Sequence, residues 1–87
     1  MRVSRVGHGS CPVIRIDGKL VREDLAELTN LCRSVTGPLV LDLSNLLWAD
    51  RDGIRALVAR ERDGATLRGV SPLLALLFRR KKGQVDA

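Results

Sequence analysis

Eighty-seven residues, 45% of them apolar, suffice for one small domain with its own hydrophobic core, over 1–87, and exclude a disordered chain. The formal net charge is +5 and the pI near 10.2, yet four of the fifteen basic residues are the consecutive Arg79-Arg80-Lys81-Lys82, so the body is nearly neutral and carries no basic face spread over a fold. The longest uninterrupted apolar run, Leu73 to Phe78, is too short to cross a bilayer, and Met1 to Val6 lacks the apolar core of a secretory signal, so the expected location is cytoplasmic.

Arg2 to Val6 reads as a short edge strand, followed by a hairpin turn at Gly7-His8-Gly9-Ser10. Val13-Ile-Arg-Ile16 is β-branched around one charge and reads as a second strand, closed by the turn signal Asp17-Gly18. Leu25, Leu28, Leu31 and Cys32 recur at helical spacing and predict an amphipathic helix from roughly Val21 to Arg33, its acidic first turn suiting the helix dipole. Thr36-Gly37-Pro38 stops it. Leu39-Val-Leu-Asp-Leu43 is nearly continuous apolar sequence, which predicts a central strand covered on both faces.

Asp50 is a candidate N-cap for a second helix, with Asp52 in its first turn and Asp63-Gly64 at its end. Ala65 to Arg68 reads as a short strand. Ser71 and Pro72 are the cap and first position of a third helix. The order β-β-α-β-α-β-α predicts an α/β domain with helices packed on a small mixed sheet, ending in a basic segment over 79–87.

Residues that carry chemistry are sparse. Cys11 and Cys32 are too few and too far apart for a zinc site or a CxxC redox motif, and Cys32 falls on the apolar face of a helix, where a buried free thiol is expected. A Cys11–Cys32 disulfide is the alternative, one that a reducing compartment disfavours. His8 is the only histidine and has no companion ligands, so it is read as a turn residue. There is no GxGxxG, no phosphate-binding Lys-Ser/Thr loop and no support for a catalytic triad. These absences predict no enzyme, no metal and no cofactor.

The third helix is apolar all round, where one buried stripe would suffice. Leu73, Leu74, Leu77 and Phe78 are therefore candidates for a protein interface or for self-association, unless a small fold tucks the helix end against its sheet. The basic run that follows reads as a solvated tail. The alternative is an anionic membrane surface or a nucleic acid, but with Trp48 and Phe78 as the only aromatics the stacking platforms of single-strand binders are missing.

Gly18-Lys-Leu20, Leu41-Asp-Leu-Ser44, Asp50-x-x-Gly53 and Val70-Ser-Pro72 fall in order and at fitting intervals over about Pro12 to Phe78. In this series the chain resembles the STAS domain, the module of anti-sigma factor antagonists and of sulfate-transporter tails. The resemblance implies a protein partner, an anti-sigma factor with kinase activity or a transporter ATPase, met by Asp50, Arg51, Asp52, Gly53 and by Arg55 and Arg62 on the second helix. It also implies a packing role in the core for Trp48, an aromatic before the loop. In antagonists of the family the residue after the loop aspartate is a phosphorylated serine or threonine. Here it is Arg51, which has no hydroxyl to modify and is permanently cationic. The second helix is also shorter than in such antagonists by about a turn and a half, and little follows the third helix. This compactness is closer to the small STAS subunits of lipid-transporting ABC complexes.

Overall fold

The computed structural model describes residues 1–6, 12–35 and 38–85, with side chains as far as Arg79. The expected hairpin turn with His8, Cys11 and the Thr36-Gly37 part of the helix stop lie outside the described residues.

Five strands and three helices follow one another as β1 (Arg2–Arg5), β2 (Val13–Leu20), α1 (Leu25–Arg33), β3 (Val40–Asp42), β4 (Leu46–Ala49), α2 (Arg51–Arg62), β5 (Thr66–Arg68) and α3 (Pro72–Val85). A 3-10 turn over Arg22–Asp24 leads into α1, and the Asp24 carboxylate accepts from the Val21 amide at 3.1 Å. The sheet runs β1-β2-β3-β5, with β4 on β2 as well; β1 is antiparallel to β2 and the other pairings are parallel. The fold is thus α/β with a mixed sheet.

Strand β2 organises the domain because it changes partner halfway. Val13 to Arg15 pair with β3, and Gly18 to Leu20 pair with β4 across an irregularity at Gly18/Lys19. Gly18 has φ +84°, a conformation that costs glycine nothing, and inside a strand it marks a bulge. The Asp17-Gly18 signal read as a closing turn is therefore a bend within a longer strand. On the facing side, Ser44-Asn45 breaks one apolar run into β3 and β4, a division the sequence pattern did not reveal.

Register assigns the faces. Ile14, Leu41 and Leu67 align on one side of the sheet. With Ile16, Leu20, Leu28, Leu43, Ile54, Leu57 and Leu74 they build one core that unites sheet and all three helices. Eight side chains in it, from Ile14 to Leu74, are fully buried. Each contributes about 1.5–3 kcal/mol, against about 0–1 kcal/mol for an exposed ion pair, so this layer dominates stability.

The other side of the sheet is not covered by a helix among the described residues, which corrects the expectation for β3. Arg15, Asp42 and Arg68 align there across three strands. The Asp42 carboxylate is buried at the end of β3, where it accepts from the Ser44 hydroxyl, the Ser44 amide (3.0 Å) and Arg68 Nη2 (3.2 Å). Arg15 Nε lies 3.9 Å from it. A charge at the end of β3 interrupts the apolar look of 39–43, on the face of the strand opposite the core residue Leu41.

Candidate functional site

The Asp50–Gly53 segment joins the end of β4 to the start of α2, and its hydrogen bonds to neighbouring elements are made by main chain or by the Asp50 carboxylate. The Asp50 amide donates to the Leu20 carbonyl at 3.1 Å, tying the loop to the end of β2. Asp50 is extended, and its Oδ1 accepts from the Gly53 amide at 2.7 Å, the expected N-cap. Its Oδ2 accepts from the Arg22 amide at 3.0 Å. One carboxylate thus holds the starts of two helical segments 28 residues apart in sequence.

Gly53 completes the fastening. It is buried, and a Cβ built on it would sit 2.5 Å from the Leu20 carbonyl oxygen, 3.1 Å from Leu20 Cγ and 3.3 Å from Ala49 Cβ. The helix start can approach the sheet this closely only without a side chain. Burial removes Gly53 from the expected contact surface, and the Asp50 carboxylate is already engaged by two amides.

Between these anchors Arg51 is exposed and Asp52 half-buried. Arg55 and Arg62 are exposed on α2 as well. At 3.6 residues per turn, positions 51, 55 and 62 fall within a stripe about 40° wide and about 16 Å long. No salt bridge engages these three guanidinium groups among the described residues; on α2 the ion pair is Arg60 with Asp63, at 3.2 Å. The neighbours Arg51 and Arg55 repel across one turn, a cost of about 0.2–0.5 kcal/mol. The helix gains nothing from that stripe by itself. Arg22, exposed and brought to the same end by the hydrogen bond its amide donates to the Asp50 carboxylate, adds a further cation that spacing along the chain could not reveal.

Three other expectations are placed or corrected here. Trp48 is 42% exposed, not a core residue: it pairs with Lys19 on the helix-free face, while Leu46 and Ala49 take the inward positions of β4. Of the four apolar residues expected at an interface on α3, Leu74 is fully buried in the core, and its amide donates to the Ser71 Oγ cap at 3.2 Å. Leu77 and Phe78 are half-buried against the core, so the exposed leucines are Leu73 and Leu76, the latter unanticipated. The basic run Arg79 to Lys82 lies within helix α3, which continues to Val85 rather than giving way to a tail.

Cys32 is half-buried and lines a recess of about 390 Å³ with Val35, Pro38, Leu39, Arg60, Asp63, Gly64 and Ala65. Burial pushes its thiol pKa up, with Arg60 opposing that. A thiol so shifted is protonated at neutral pH and a poor nucleophile. Among the described residues no three His, Cys, Asp or Glu side chains gather as a metal site would require. No described helix is long and apolar enough to cross a membrane.

No protein-family model matches the sequence, and no curated protein matches it. Among solved structures, the chain is similar to the anti-sigma factor antagonist SpoIIAA in its unphosphorylated form, with a TM-score of 0.63 and 19% identity over 90% of this chain and 80% of that one. The mixed sheet with its three helices thus belongs to a known architecture: the fold of this chain is STAS-like.

Proposed function

We propose that this chain is a non-catalytic protein–protein interaction module of the bacterial cytoplasm. Its docking surface comprises Arg51, Asp52, Arg55 and Arg62, displayed by the loop that Asp50 and Gly53 hold in place. The observation that carries the reading is the exposed arginine stripe, which begins at a doubly anchored loop and has no ion-pair partner among the described residues. Its chemistry fits an acidic protein surface. The likeness to SpoIIAA makes an anti-sigma factor, with or without kinase activity, the first class of partner to test, and a transporter ATPase the second.

Arg51 makes this docking constitutive. A phosphorylatable residue at a contact surface can gain about two negative charges and release or reshape a partner. Arginine carries the opposite sign at all times and offers no hydroxyl. The module is therefore regulated by its abundance or its partner, not by modification at this position.

The test is capture of the partner by tagged protein at low and moderate salt, with Arg51→Asp and Arg55→Asp variants beside the wild type. Charge reversal is expected to weaken capture at least about tenfold and to slow association, while the circular dichroism spectrum stays native. A partner retained equally by the reversed variants would rule out the arginine stripe as the docking surface.

A further inference from the structure

Counted along the chain the body is nearly neutral, but the sheet sorts charges onto its helix-free face. Ser4 pairs with Arg15, Arg15 with Asp42 and Asp42 with Arg68, so one polar row crosses four strands, with Arg2 and Asp17 paired beside it. Along the same strand β2, Lys19 pairs with Trp48. The next pair, Leu20 and Ala49, lies in the core, so Lys19 and Trp48 point to the side that carries the polar row.

That face holds four cations, Arg2, Arg15, Lys19 and Arg68, against the two carboxylates of Asp17 and Asp42. Arg2, Lys19 and Arg68 are exposed. Asp42 is buried and already accepts from Ser44 and Arg68, so it presents little charge outward. Arg2 and Lys19 make no ion pair among the described residues, and Arg15 Nε has no hydrogen-bond partner. Trp48, 42% exposed, is the one aromatic on this side of the sheet. We propose that the helix-free sheet face binds single-stranded nucleic acid, with Trp48 stacked on an unpaired base and Arg2, Arg15, Lys19 and Arg68 meeting the phosphates.

Separated cations beside an exposed aromatic are what sequence-tolerant single-strand binding uses, a track for the backbone and a π-face for a base. At about 4.8 Å per strand, β1 and β5 stand about 14 Å apart, and Arg15 and Lys19 are about 13 Å apart along β2. A face of these dimensions takes about four nucleotides, the small end of single-strand sites. A duplex keeps its bases paired and offers Trp48 none to stack on. An acidic protein would match the cations, but a base also occupies the indole set beside Lys19.

Trp48 is the only tryptophan and there is no tyrosine, so intrinsic fluorescence reports on this face alone. The experiment titrates the full chain with labelled oligothymidylate, oligouridylate and a duplex, following Trp48 quenching and the anisotropy of the label. The expected result is quenching by single strands and not by duplex, the tighter of the two strands telling DNA from RNA. Log affinity should fall with log salt at a slope of about −2 to −3, as three to four phosphate contacts require. Trp48→Ala should weaken binding about five- to a hundredfold by anisotropy. Arg2→Ser with Lys19→Ser, both at exposed positions, should make the slope shallower by about 1.4. Circular dichroism of each variant should stay native. Serine at all of 79–82, and separately Arg51→Asp, should leave the quenching in place, which sets this face apart from the helix end and from the protein-docking stripe. Absent quenching, equal quenching by duplex, wild-type affinity in Trp48→Ala, an unchanged slope in the double variant, or quenching abolished by the change at 79–82 would overturn the proposal. So would polyglutamate displacing the strands at equal concentration, which would give the face to an acidic protein.

Discussion

Replacing Gly53 by alanine tests whether the loop is fastened as the structure indicates, because two effects of opposite sign meet at that residue. Gly53 lies in the first turn of α2, and in an ordinary helix the change would stabilise by about 1 kcal/mol through helix propensity. Here the added Cβ would stand 2.5 Å from the Leu20 carbonyl oxygen. That oxygen is main chain and accepts from the Asp50 amide, so it cannot swing away as a side-chain end would. Relief requires the start of α2 to move off the sheet, stretching the Asp50 cap and the β2–β4 pairing together. Overpacking of this kind costs about 1–3 kcal/mol, and with a rigid neighbour the upper part of that range applies. After the propensity gain, a net loss of about 2 kcal/mol remains, or about 8–16 °C in Tm for a domain of this size. Thermal and urea unfolding followed by far-UV circular dichroism would measure it. A Gly53→Ala protein melting above the wild type would refute the close approach, and with it the view that this glycine fixes the position of Arg51.

Asp50→Ala removes the acceptor for the Gly53 and Arg22 amides and is expected to cost about 2 kcal/mol, with Asp50→Asn costing less; equal urea midpoints for all three proteins would contradict the double-anchor role. Asp42 is expected to make the fold acid-sensitive in a narrow window. Its pKa is lowered from 3.8 to about 2 by the Ser44 hydroxyl and amide and by Arg68, with burial opposing. A carboxylate depressed in the folded state stabilises above its unfolded pKa. Its contribution, at most about 2 kcal/mol, is lost as pH falls from about 4 through about 2, and Asp42→Asn should flatten the urea midpoint over that interval. In α3, Leu74→Ala should cost about 2–5 kcal/mol and Leu76→Ala less than about 0.5 kcal/mol, a contrast that denaturant titration resolves and that equal losses would overturn.

What the sequence made legible was local. Ser71-Pro72 and Asp50 announced two helix starts because capping depends on side chains within three residues of the cap, and both caps are formed as expected. The leucine spacing of α1 and the charged face of α2 followed from helical period alone. Long-range choices were not legible. Whether 39–43 was covered on one face or two depended on where the three helices packed, and the buried Asp42 is the cue in hindsight. The exposure of Trp48 depended on the displaced residue in β4, which inverts side-chain direction within a four-residue strand. The Arg22–Asp50 contact joins residues far apart in the chain, and the fold alone brings them together.

The loop separates position from identity. Asp50 and Gly53 are constrained by the fold, one by four hydrogen bonds and the other by packing so close that an added Cβ would stand 2.5 Å from the Leu20 carbonyl oxygen. Arg51 is constrained by neither, since it is exposed and makes no ion pair among the described residues. Substitutions at such positions usually change stability by less than about 0.5 kcal/mol, so folding would accept serine, threonine or arginine there with nearly equal ease. Stability therefore does not select the arginine, and the small repulsion from Arg55 works against it. A residue that the fold neither needs nor rewards, displayed by a loop that the fold anchors, is where the proposed docking reading makes its sharpest demand; Arg51→Ser should accordingly leave Tm unchanged while altering the charge that the loop presents.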